Sequence, residues 1–583
     1  MPEYLSPGVY VEEIEIGAKP IEGVSTSTAG FLGEAERGPT IPRLVTSWLD
    51  YQRVFGSYFG TDKYLPYAVE GFFMNGGKRC YIGRIVKAGD VAASTASLKL
   101  TAGGANALTV GAVGEGAWGN RIAVKVTKGT LSGFRLSVFY WKELPTTPYD
   151  PETNPKATPR PSVTEVFDNI SVTETSPDYY EKRINGISNL IRISRKTAEG
   201  DTGAAPDPTR HEGTAQGGAA GPPPTITLAN TASGVNDAYN GMRIEITGGT
   251  GSGQVRTITD YDGATFVATV DSPWTTVPDN TSTYRIIPTL VLADYQRADT
   301  DQPGNRKGLT GFAGIDEISI VYSPNSMAAL PNEALADALI THCETLKDRF
   351  AIIDAAQGSK DVSVLDPRGN NDTKYAAFYY PWIYVIDPEA GLLRLIPPGG
   401  HVAGIYARSD IERGVHKAPA NEVVRGAADL EFQITKGEQD ILNPRGVNVI
   451  RAFPGRGIRV WGARTLSSDT LWKYINVRRL FLYVEESIEE GTQWVVFEPN
   501  NEKLWARVRA TITEFLTRVW RDGALMGTKP EEAFFVKCDR TTMTQDDIDN
   551  GRLICIIGIA PVKPAEFVIF RIAQFPGGSS ITE

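Results

Sequence analysis

The stretch DEISIVYSPNSMAALPNEALADALITHCETLKDRFAIIDA, residues 316–355, carries the pattern that decides the fold. Its first nine residues form the short apolar run of a buried strand, and FAIIDA, residues 350–355, forms another. The segment between them, after Pro331, predicts a helix. A strand, a helix and a second strand in this order predict a β-α-β unit, so we expect an α/β core around it.

Further elements extend the pattern on both sides. YAAFYYPWIYVI, residues 375–386, and RLFLYVEESI, residues 479–488, predict more strands, and a long helix is predicted from about Asn501 to Arg521. Upstream, GAVGEGAWGNRIAVKVTKG, residues 111–129, and GFRLSVFYW, residues 133–141, predict strands that begin an all-β region.

Shifts in composition divide the chain, and they predict an α+β multidomain protein. Its α/β core is built from N- and C-terminal parts, with inserted β-rich outer domains and terminal strand arms. The predicted segments are an N-terminal strand arm (1–20), a first part of the core (21–100), a β-rich outer domain (101–195), a Pro/Gly-rich linker (196–224), an inserted small β-module (225–287), a return segment of the outer domain (288–310), the α/β core (311–563) and a C-terminal strand arm (564–583).

Charge and composition exclude several classes of partner. The chain has 583 residues and a formal net charge of -10. Nucleic-acid coats and anionic-membrane binders need a basic surface, so neither class is expected. No apolar run approaches the roughly 18 residues of a membrane span, and the N-terminus lacks the pattern of a signal peptide. Four cysteines without C-x-x-C spacing suit a reducing compartment. We therefore expect synthesis and assembly in the cytoplasm.

Candidate catalytic sites are few. YARSDIERGVHKAPANEVVRG, residues 406–426, places Asp, His and Lys close enough in sequence for a proton relay or a phosphate site. GGTGSG, residues 248–253, has strands predicted on both sides and no following Lys-Ser or Lys-Thr pair, which favours a hairpin turn over a phosphate loop. Asp366 and Asp372 could be the paired carboxylates of a hydrolase, although a polar turn is the more typical meaning of DPRGNND. We predict no enzyme and no catalytic, cofactor or metal site.

Both chain ends carry a single strand pattern. GVYVEEIEIG, residues 8–17, holds two apolar alternations, Val9 with Val11 and Ile14 with Ile16, and EFVIFRIAQF, residues 566–575, places Val568, Phe570 and Ile572 on one face of a strand. A lone strand cannot satisfy its own backbone amides, so each must join a sheet of its own chain or of a neighbouring copy. The residues of these arms are Val9, Tyr10, Val11, Ile14 and Ile16 at the N-terminus, and Val568, Phe570 and Ile572 at the C-terminus.

The long helix has a basic side opposite an apolar stripe, which is formed by Leu504, Val508, Ile512, Phe515 and Val519. Lys503, Arg507, Arg518 and Arg521 gather on the basic side with a single carboxylate, Glu514. One interpretation is a solvated surface with a Glu514–Arg518 pair. The other is a docking surface for an acidic partner.

Three long segments together resemble contractile tail sheath proteins of phages, tailocins and extracellular contractile injection systems. They are PPGGHVAGIYARSDIERGVHKAPANEVVRG (397–426), ILNPRGVNVIRAFPGRGIRVWGARTL (441–466) and the stretch from WKYINVRRL to WRDGAL (472–525). The resemblance also covers YLSPGVYVEEI (4–14), GAWGNRI (116–122), VFDNISV (166–172), YYEKRINGISNLIRI (179–193) and nearly everything from 288 onward.

The resemblance implies that the charged run at 406–426 is a structural signature of the core. Its charges are expected to pair with each other, Arg408 with Asp410 and Arg413 with Glu412, and with the backbone. The signature residues are Arg408, Asp410, Arg413, Lys417, Pro419 and Asn421.

The resemblance also implies a function. Such a chain would be the structural subunit of a contractile sheath that polymerises around an inner tube and contracts to drive it through a target cell envelope. Implied partners are further copies in stacked hexameric rings, an inner tube protein facing the basic helix, and baseplate and tail terminator proteins, with no nucleic acid, cofactor or direct membrane insertion. Assembly in the producing cell would place it in a virion tail or in a released or anchored injection particle. A non-contractile filament or surface-layer protein is the alternative. The sheath of type VI secretion is more similar to the proposed one, but there the function is divided between two chains.

Overall fold

The structure is a computed structural model of the chain, and it describes residues 20–571 with gaps. The gaps are residues 61, 88–94, 103–104, 146–148, 196–210, 231, 233–235, 238, 241, 288–289, 291, 298–302 and 326–333. The N-terminal strand arm and Ile572 of the C-terminal arm lie outside the described residues.

A nine-stranded sheet forms the centre of the described fold, and its middle strands are parallel. Its strands in chain order are β1 (Ala29–Gly33), β2 (Arg43–Val45), β3 (Cys80–Arg84), β4 (Ile320–Tyr322), β5 (Phe350–Asp354), β6 (Ala376–Tyr380), β7 (Glu422–Val423), β8 (Val447–Phe453) and β9 (Gly457–Val460). Their spatial order is β2-β3-β1-β4-β5-β6-β8-β9-β7. The strands β1, β4, β5 and β6 are buried along their whole length, as expected for a sheet covered on both faces.

Six longer helices surround this sheet and a second core. They are α1 (Trp48–Phe55), α2 (Leu65–Met74), α3 (Ala334–Leu346), α4 (Gly399–Arg413), α5 (Ile475–Gly491) and α6 (Glu502–Arg521). The predicted β-α-β unit is confirmed as β4, α3 and β5, with β4 and β5 parallel.

Helices α2 and α4 pack at very short range because glycines line the contact. A Cβ atom on Gly400 would lie 2.4 Å from the Ala68 Cα, and one on Gly404 would lie 2.4 Å from the Phe72 carbonyl oxygen. Glycine is therefore required at both positions, and α4 is buried from Gly399 to Ser409. The signature segment begins inside this helix.

The predicted strand at 479–488 is wrong, because these residues lie in α5. Leu480 and Val484 pack into a second core with α6, while Ile475 and Leu482 pack against the main sheet. A helix that lies between two cores carries apolar residues on two sides. Leu480, Leu482 and Val484 therefore alternate like a strand although they belong to a helix.

The second core is completed by a two-stranded antiparallel sheet, Phe534–Lys537 paired with Ile556–Ile559. We call this pair the C-terminal hairpin. Residues Leu504, Val508, Ile512, Phe515 and Val519 of α6 form the apolar stripe of this core, as the sequence predicted. The helix itself begins one residue after Asn501, whose side chain accepts a hydrogen bond from the Leu504 amide.

Smaller sheets occupy residues 97–287. Two three-stranded sheets are formed by Ser97–Ala102, Ala105–Ala112 and Ile191–Arg195, and by Ile122–Lys128, Phe134–Tyr140 and Val163–Ile170. A seven-stranded sheet is formed by His211–Thr214, Gly217–Ala219, Thr225–Thr227, Arg243–Gly248, Val255–Asp262, Val267–Val270 and Thr283–Ile287.

The seven-stranded sheet corrects one boundary and confirms one turn. Residues 211–219, expected in the linker, form two of its strands, because even Gly-rich chain can complete a sheet edge through backbone hydrogen bonds. GGTGSG connects the antiparallel strands Arg243–Gly248 and Val255–Asp262, and Gly249, Gly251 and Gly253 all have positive φ. The hairpin turn is therefore confirmed.

The remaining elements are short. A three-stranded sheet contains Ile383–Ile386, Leu393–Ile396 and Ala427–Leu430. Short helices and 3-10 turns lie at Ala117–Arg121, Tyr180–Ile184, Leu292–Gln296, Gly308–Phe312, Pro367–Asn370, Lys436–Leu442, Asn443–Arg445, Gln493–Val495, Pro530–Ala533 and Gln545–Asp549. Within the part of the chain that the structure describes, no helix is long and apolar enough to cross a membrane. The separate sheets and cores fit the predicted multidomain α+β class.

Candidate functional site

The C-terminal arm leaves the core at Glu566, which is held by an unusually complete set of donors. Arg464 donates Nε to Oε1 at 2.7 Å and Nη2 to Oε2 at 2.8 Å, so the pair is bidentate. The Asn443 amide and the Tyr474 hydroxyl each donate at 2.9 Å, and the Lys473 ammonium lies 3.3 Å away. Burial alone would raise the pKa of Glu566, but the hydrogen bonds from Arg464 and Asn443 outweigh it and hold the pKa at about 2. Glu566 therefore fixes the point from which the arm departs.

Beyond Glu566 the described chain is apolar and exposed to solvent. Phe567, Val568, Ile569 and Phe570 expose between 67% and 83% of their surface. Within the described residues this segment belongs to no strand and pairs with no sheet. Four consecutive large apolar side chains in water are unfavourable, so this segment has the properties of a strand that awaits a partner.

The C-terminal hairpin has open strand edges of the kind to which such an arm can add. It has only two strands among the described residues, so each strand leaves one edge without a ladder partner. Its side chains Phe535 and Ile556 are 56% and 47% exposed. A two-stranded sheet is marginal alone, and added strands would satisfy its edge amides and cover these side chains.

The root of the N-terminal arm is anchored in the second core. Ile21 is buried in the second core, and its carbonyl oxygen accepts a hydrogen bond from Arg518 of α6. The Val24 amide donates to the Ser487 hydroxyl of α5 at 3.1 Å. The two arms therefore depart from opposite ends of α5: Glu566 binds Tyr474 just before the helix, whereas Val24 binds Ser487 in its last turns.

The signature segment forms a buried ion pair that ties three remote parts of the chain together. Asp410 of α4 accepts from Arg479 of α5 at 2.6 Å, and each side chain is only 3% exposed. The Thr26 hydroxyl donates to Asp410 at 2.7 Å, and Arg479 donates to the Thr26 carbonyl oxygen at 2.7 Å. Both charges have partners within the protein, so this cluster holds in place the segment around Thr26, from which the N-terminal arm departs.

The expected pair of Arg408 with Asp410 is wrong. Residues two apart on a helix point to different sides, so Asp410 reaches Arg479 while Arg408 reaches Glu422 at 3.4 Å and the Val423 carbonyl oxygen at 3.0 Å. The expected pair of Arg413 with Glu412 is also absent: among the described residues, the ion pairs of this segment are Arg408 with Glu422, Lys417 with Glu422 and Asp410 with Arg479.

The other signature residues shape the turn after α4. Lys417 binds Glu422 at 2.9 Å and the Ala420 carbonyl oxygen at 3.0 Å. Pro419 is buried, and Asn421 has a φ of 59°, a left-handed conformation that Asn tolerates better than most residues. These residues have structural partners, whereas Arg413 ends α4 with its side chain exposed.

The basic side of α6 is exposed at all four predicted positions. Lys503, Arg507, Arg518 and Arg521 and their companion Glu514 are all open to solvent. The Arg507 guanidinium lies 4.5 Å from the centre of the Trp494 ring. Arg518 holds the Ile21 carbonyl oxygen instead of Glu514, so its role is at least partly internal.

The sites weighed as catalytic have ordinary structural surroundings. Asp372 accepts a hydrogen bond from the Ser468 amide at 2.8 Å, and the Asp366 carbonyl oxygen accepts from the Gly369 amide, as in a polar turn. His416, in the signature segment, has its pKa lowered chiefly by burial.

Sequence reasoning missed Glu566 and Arg479. Both lie inside segments that were predicted as strands, where charges carry no evident signal of a buried pair. Glu566 directly precedes the apolar run of the C-terminal arm, and this position at the root is the only cue that the sequence offered.

Two family models match adjacent parts of the chain. Residues 308–466 match the phage tail sheath protein central domain, and residues 467–575 match the phage tail sheath C-terminal domain. Together they cover the β-α-β unit, the signature segment and α4 to α6, and they end within the C-terminal arm.

Similar proteins and structures are also sheath components. The tail sheath protein of Salmonella phage ViI is 27% identical over 292 residues, which cover 45% of this chain and 44% of that protein. A putative prophage major tail sheath protein of Pseudomonas aeruginosa is 24% identical over 46% of this chain and 69% of its own. The chain thus spans about half the length of several relatives.

Solved structures share the fold over nearly the full chain. The sheath complex of an extracellular contractile injection system, PVC, in its contracted state is 21% identical, with a TM-score of 0.51 over 98% of this chain and 99% of that one. The contracted helical sheath of the anti-feeding prophage is 23% identical, with a TM-score of 0.51 over 97% and 99%. The multidomain α+β class is confirmed.

Proposed function

Because residues 308–575 match the family models of phage tail sheath proteins, we propose that this chain is the structural subunit of a contractile tail sheath. It polymerises around an inner tube and contracts to drive the tube through a target cell envelope. It works by assembly and carries out no catalysis.

One observation carries this proposal: an apolar, unpaired C-terminal arm lies on the same chain as a hairpin with two open edges. The arm of one copy adds a strand to the C-terminal hairpin of another, and the N-terminal arm adds a strand to the opposite edge. Residues 1–16 supply the N-terminal strand, and Val568 and Phe570 supply side chains of the C-terminal one.

Strand addition gives a strong link without a rigid interface. Each backbone hydrogen bond contributes about 1 kcal/mol net, and each buried Val, Ile or Phe adds roughly 1.5 to 3 kcal/mol. Successive side chains of a strand point to opposite faces, so Val568 and Phe570 share one face and together add roughly 3 to 6 kcal/mol by burial, comparable to several hydrogen bonds. Many such links along a polymer make the loss of one copy very costly.

Contraction requires two packings of the same subunit. The extended arrangement is metastable, and the contracted one buries more surface between the α/β cores. The arms keep neighbouring copies joined while the cores move, because the links lie in the arms and not between the cores. The energy is stored during assembly, so no nucleotide is needed.

The exposed basic side of α6 faces the inner tube in this proposal. Lys503, Arg507 and Arg521 present cations on an otherwise acidic protein, and an acidic tube surface is the complementary partner. Their attraction holds the extended sheath until a baseplate triggers release. Arg518 contributes less to this attraction, because it already donates a hydrogen bond to the Ile21 carbonyl oxygen beside the N-terminal arm.

The remaining partners and locations follow from the same proposal. Copies assemble as stacked hexameric rings, bounded by baseplate and tail terminator proteins, in the cytoplasm of the producing cell. The finished particle is a virion tail or a released or anchored injection system. The module at 225–287 is an outward-facing decoration, because its sheet has its own core and is separate from the main sheet.

Removal of one arm tests the proposal directly. Deletion of residues 1–16 leaves a folded monomer by circular dichroism and size-exclusion chromatography, because the arm precedes every described element. Negative-stain electron microscopy then shows no sheaths, whereas the full chain forms them. Intact sheaths from the deletion would contradict arm exchange, and static filaments of the full chain would favour the non-contractile alternative.

A further inference from the structure

Two cysteines face each other across the C-terminal hairpin. The last registered pair of its strands is Lys537 with Ile556, and one position further the strands place Cys538 opposite Cys555. The two thiols form a hydrogen bond with each other, and both cysteines are free. Directly opposed residues of an antiparallel pair have Cα atoms about 4.5–5.5 Å apart, which lies within the range that a disulfide spans.

The two cysteines differ in access to solvent. Cys538 is buried, and Cys555 is partly exposed at the loop end of the hairpin. Burial raises the pKa of both thiols, that of Cys555 to about 12. Arg509 of α6 acts on both thiols in the opposite direction, and Asp539 raises the pKa of Cys538 further. Thiolate is therefore scarce at neutral pH, and oxidation is slow.

We propose that Cys538 and Cys555 form a regulatory disulfide that closes the loop end of the C-terminal hairpin when the protein meets an oxidising medium. The oxidant is a low-molecular-weight disulfide such as oxidised glutathione. The Cys555 thiolate attacks one of its sulfurs and releases a first glutathione thiolate. The Cys538 thiolate then attacks the Cys555 sulfur of the mixed disulfide and releases the second. Two electrons pass to glutathione, and the two cysteine protons go to the two released thiolates.

The disulfide changes the edge to which the arms are proposed to add. It closes the loop of residues 539–554 and restrains the two strands at one end. Loops of this length give a restraint that we expect to slow amide exchange in Phe534–Lys537 on the order of 100-fold. Its consequence for the particle rests on the proposed function: a sheath assembled reduced would become more resistant to arm release after it leaves the cell.

Peptide mapping of the full-length chain tests the modification without any assembly. The native protein is incubated with oxidised glutathione at about pH 8, alkylated, digested and analysed by mass spectrometry. The expected product links Cys538 to Cys555, whereas the fully buried Cys80 and Cys343 are alkylated only after denaturation. The linking rate rises about tenfold per pH unit between about pH 7 and 9, because the thiolate is the reacting species.

Three variants separate the role of Cys555, which attacks glutathione first, from that of Cys538, which resolves the mixed disulfide. Cys538→Ser leaves glutathione attached to Cys555, whereas Cys555→Ser prevents both the attachment and the link. Cys343→Ser is the matched control, and it leaves the link unchanged. Four free thiols after prolonged oxidation of the wild type, a link between two chains, or glutathione attached to Cys538 in the Cys555→Ser variant would each overturn the proposal. None of these results depends on whether sheaths form, so they leave the proposed function to its own test.

Discussion

Substitution of Glu566 by Gln should loosen the root of the C-terminal arm while leaving the core folded. Glutamine keeps the shape of the side chain but removes the charge that Arg464, Asn443 and Tyr474 stabilise. The Glu566 pKa of about 2, compared with 4.5 for a free glutamate, corresponds to about 3 kcal/mol at neutral pH. The Glu566 side chain is 18% exposed, so solvent screens part of this interaction and we expect about half of that, roughly 1.5 kcal/mol.

Hydrogen–deuterium exchange measures this loss directly. About 1.5 kcal/mol raises the population of the open arm root roughly tenfold, so deuterium uptake over residues 562–566 should accelerate by that factor. Glu317→Gln is the matched control, because Glu317 forms a surface pair with Arg79 in which both side chains are about half exposed. We expect no measurable change in deuterium uptake around residue 317 in this control variant.

The pH dependence gives the effect a second signature. A glutamate whose pKa is lowered by folding stabilises the native state above the unfolded pKa of 4.5, and this contribution is lost as pH falls towards 2. The difference between wild type and Glu566→Gln should therefore be constant above about pH 5 and vanish near pH 2. Equal deuterium uptake over residues 562–566 in the two proteins at neutral pH would refute the role of Glu566 as the anchor of the C-terminal arm.

Three further perturbations test the remaining assignments. Reversing charge with Lys503→Glu and Arg507→Glu should leave the monomer folded and abolish extended sheaths on tubes in electron micrographs; normal extended particles would disprove the tube-facing role. Asp410→Asn should lower the free energy of unfolding by about 3 kcal/mol in chemical denaturation, because it leaves Arg479 buried without its partner; a loss below about 1 kcal/mol would show that the ion pair is not structural. Removing residues 211–287, the whole seven-stranded sheet, should preserve sheath assembly, and its loss would place the module at an interface.

The main sheet could be predicted from sequence because its strands are buried on both faces. β4, β5 and β6 are short, continuous apolar runs, and the 3.6-residue period of α6 separates a core stripe from a charged side. Such patterns depend on local sequence alone. They fail for α5, where two cores contribute apolar contacts and the pattern of alternate residues imitates a strand.

The candidate site was only partly predictable because its charges pair across long sequence distances. Asp410 pairs with Arg479, and Glu566 pairs with Arg464, so neither partner lies within a turn of the same helix. Local spacing suggested Arg408 for Asp410, and the helical geometry excludes that choice. The apolar arm, in contrast, was visible in the alternation of Val568 and Phe570, because an unpaired strand keeps its own pattern wherever its partner lies.

A high-resolution cryo-EM map of the assembled protein tests the central claim most directly. With both chain ends traced, we expect residues 1–16 of one copy and the segment from Phe567 onward of another to hydrogen-bond to the two edges of a third copy's C-terminal hairpin. A map in which both ends fold back onto their own chain, with hairpin edges free or covered by loops, would contradict the account.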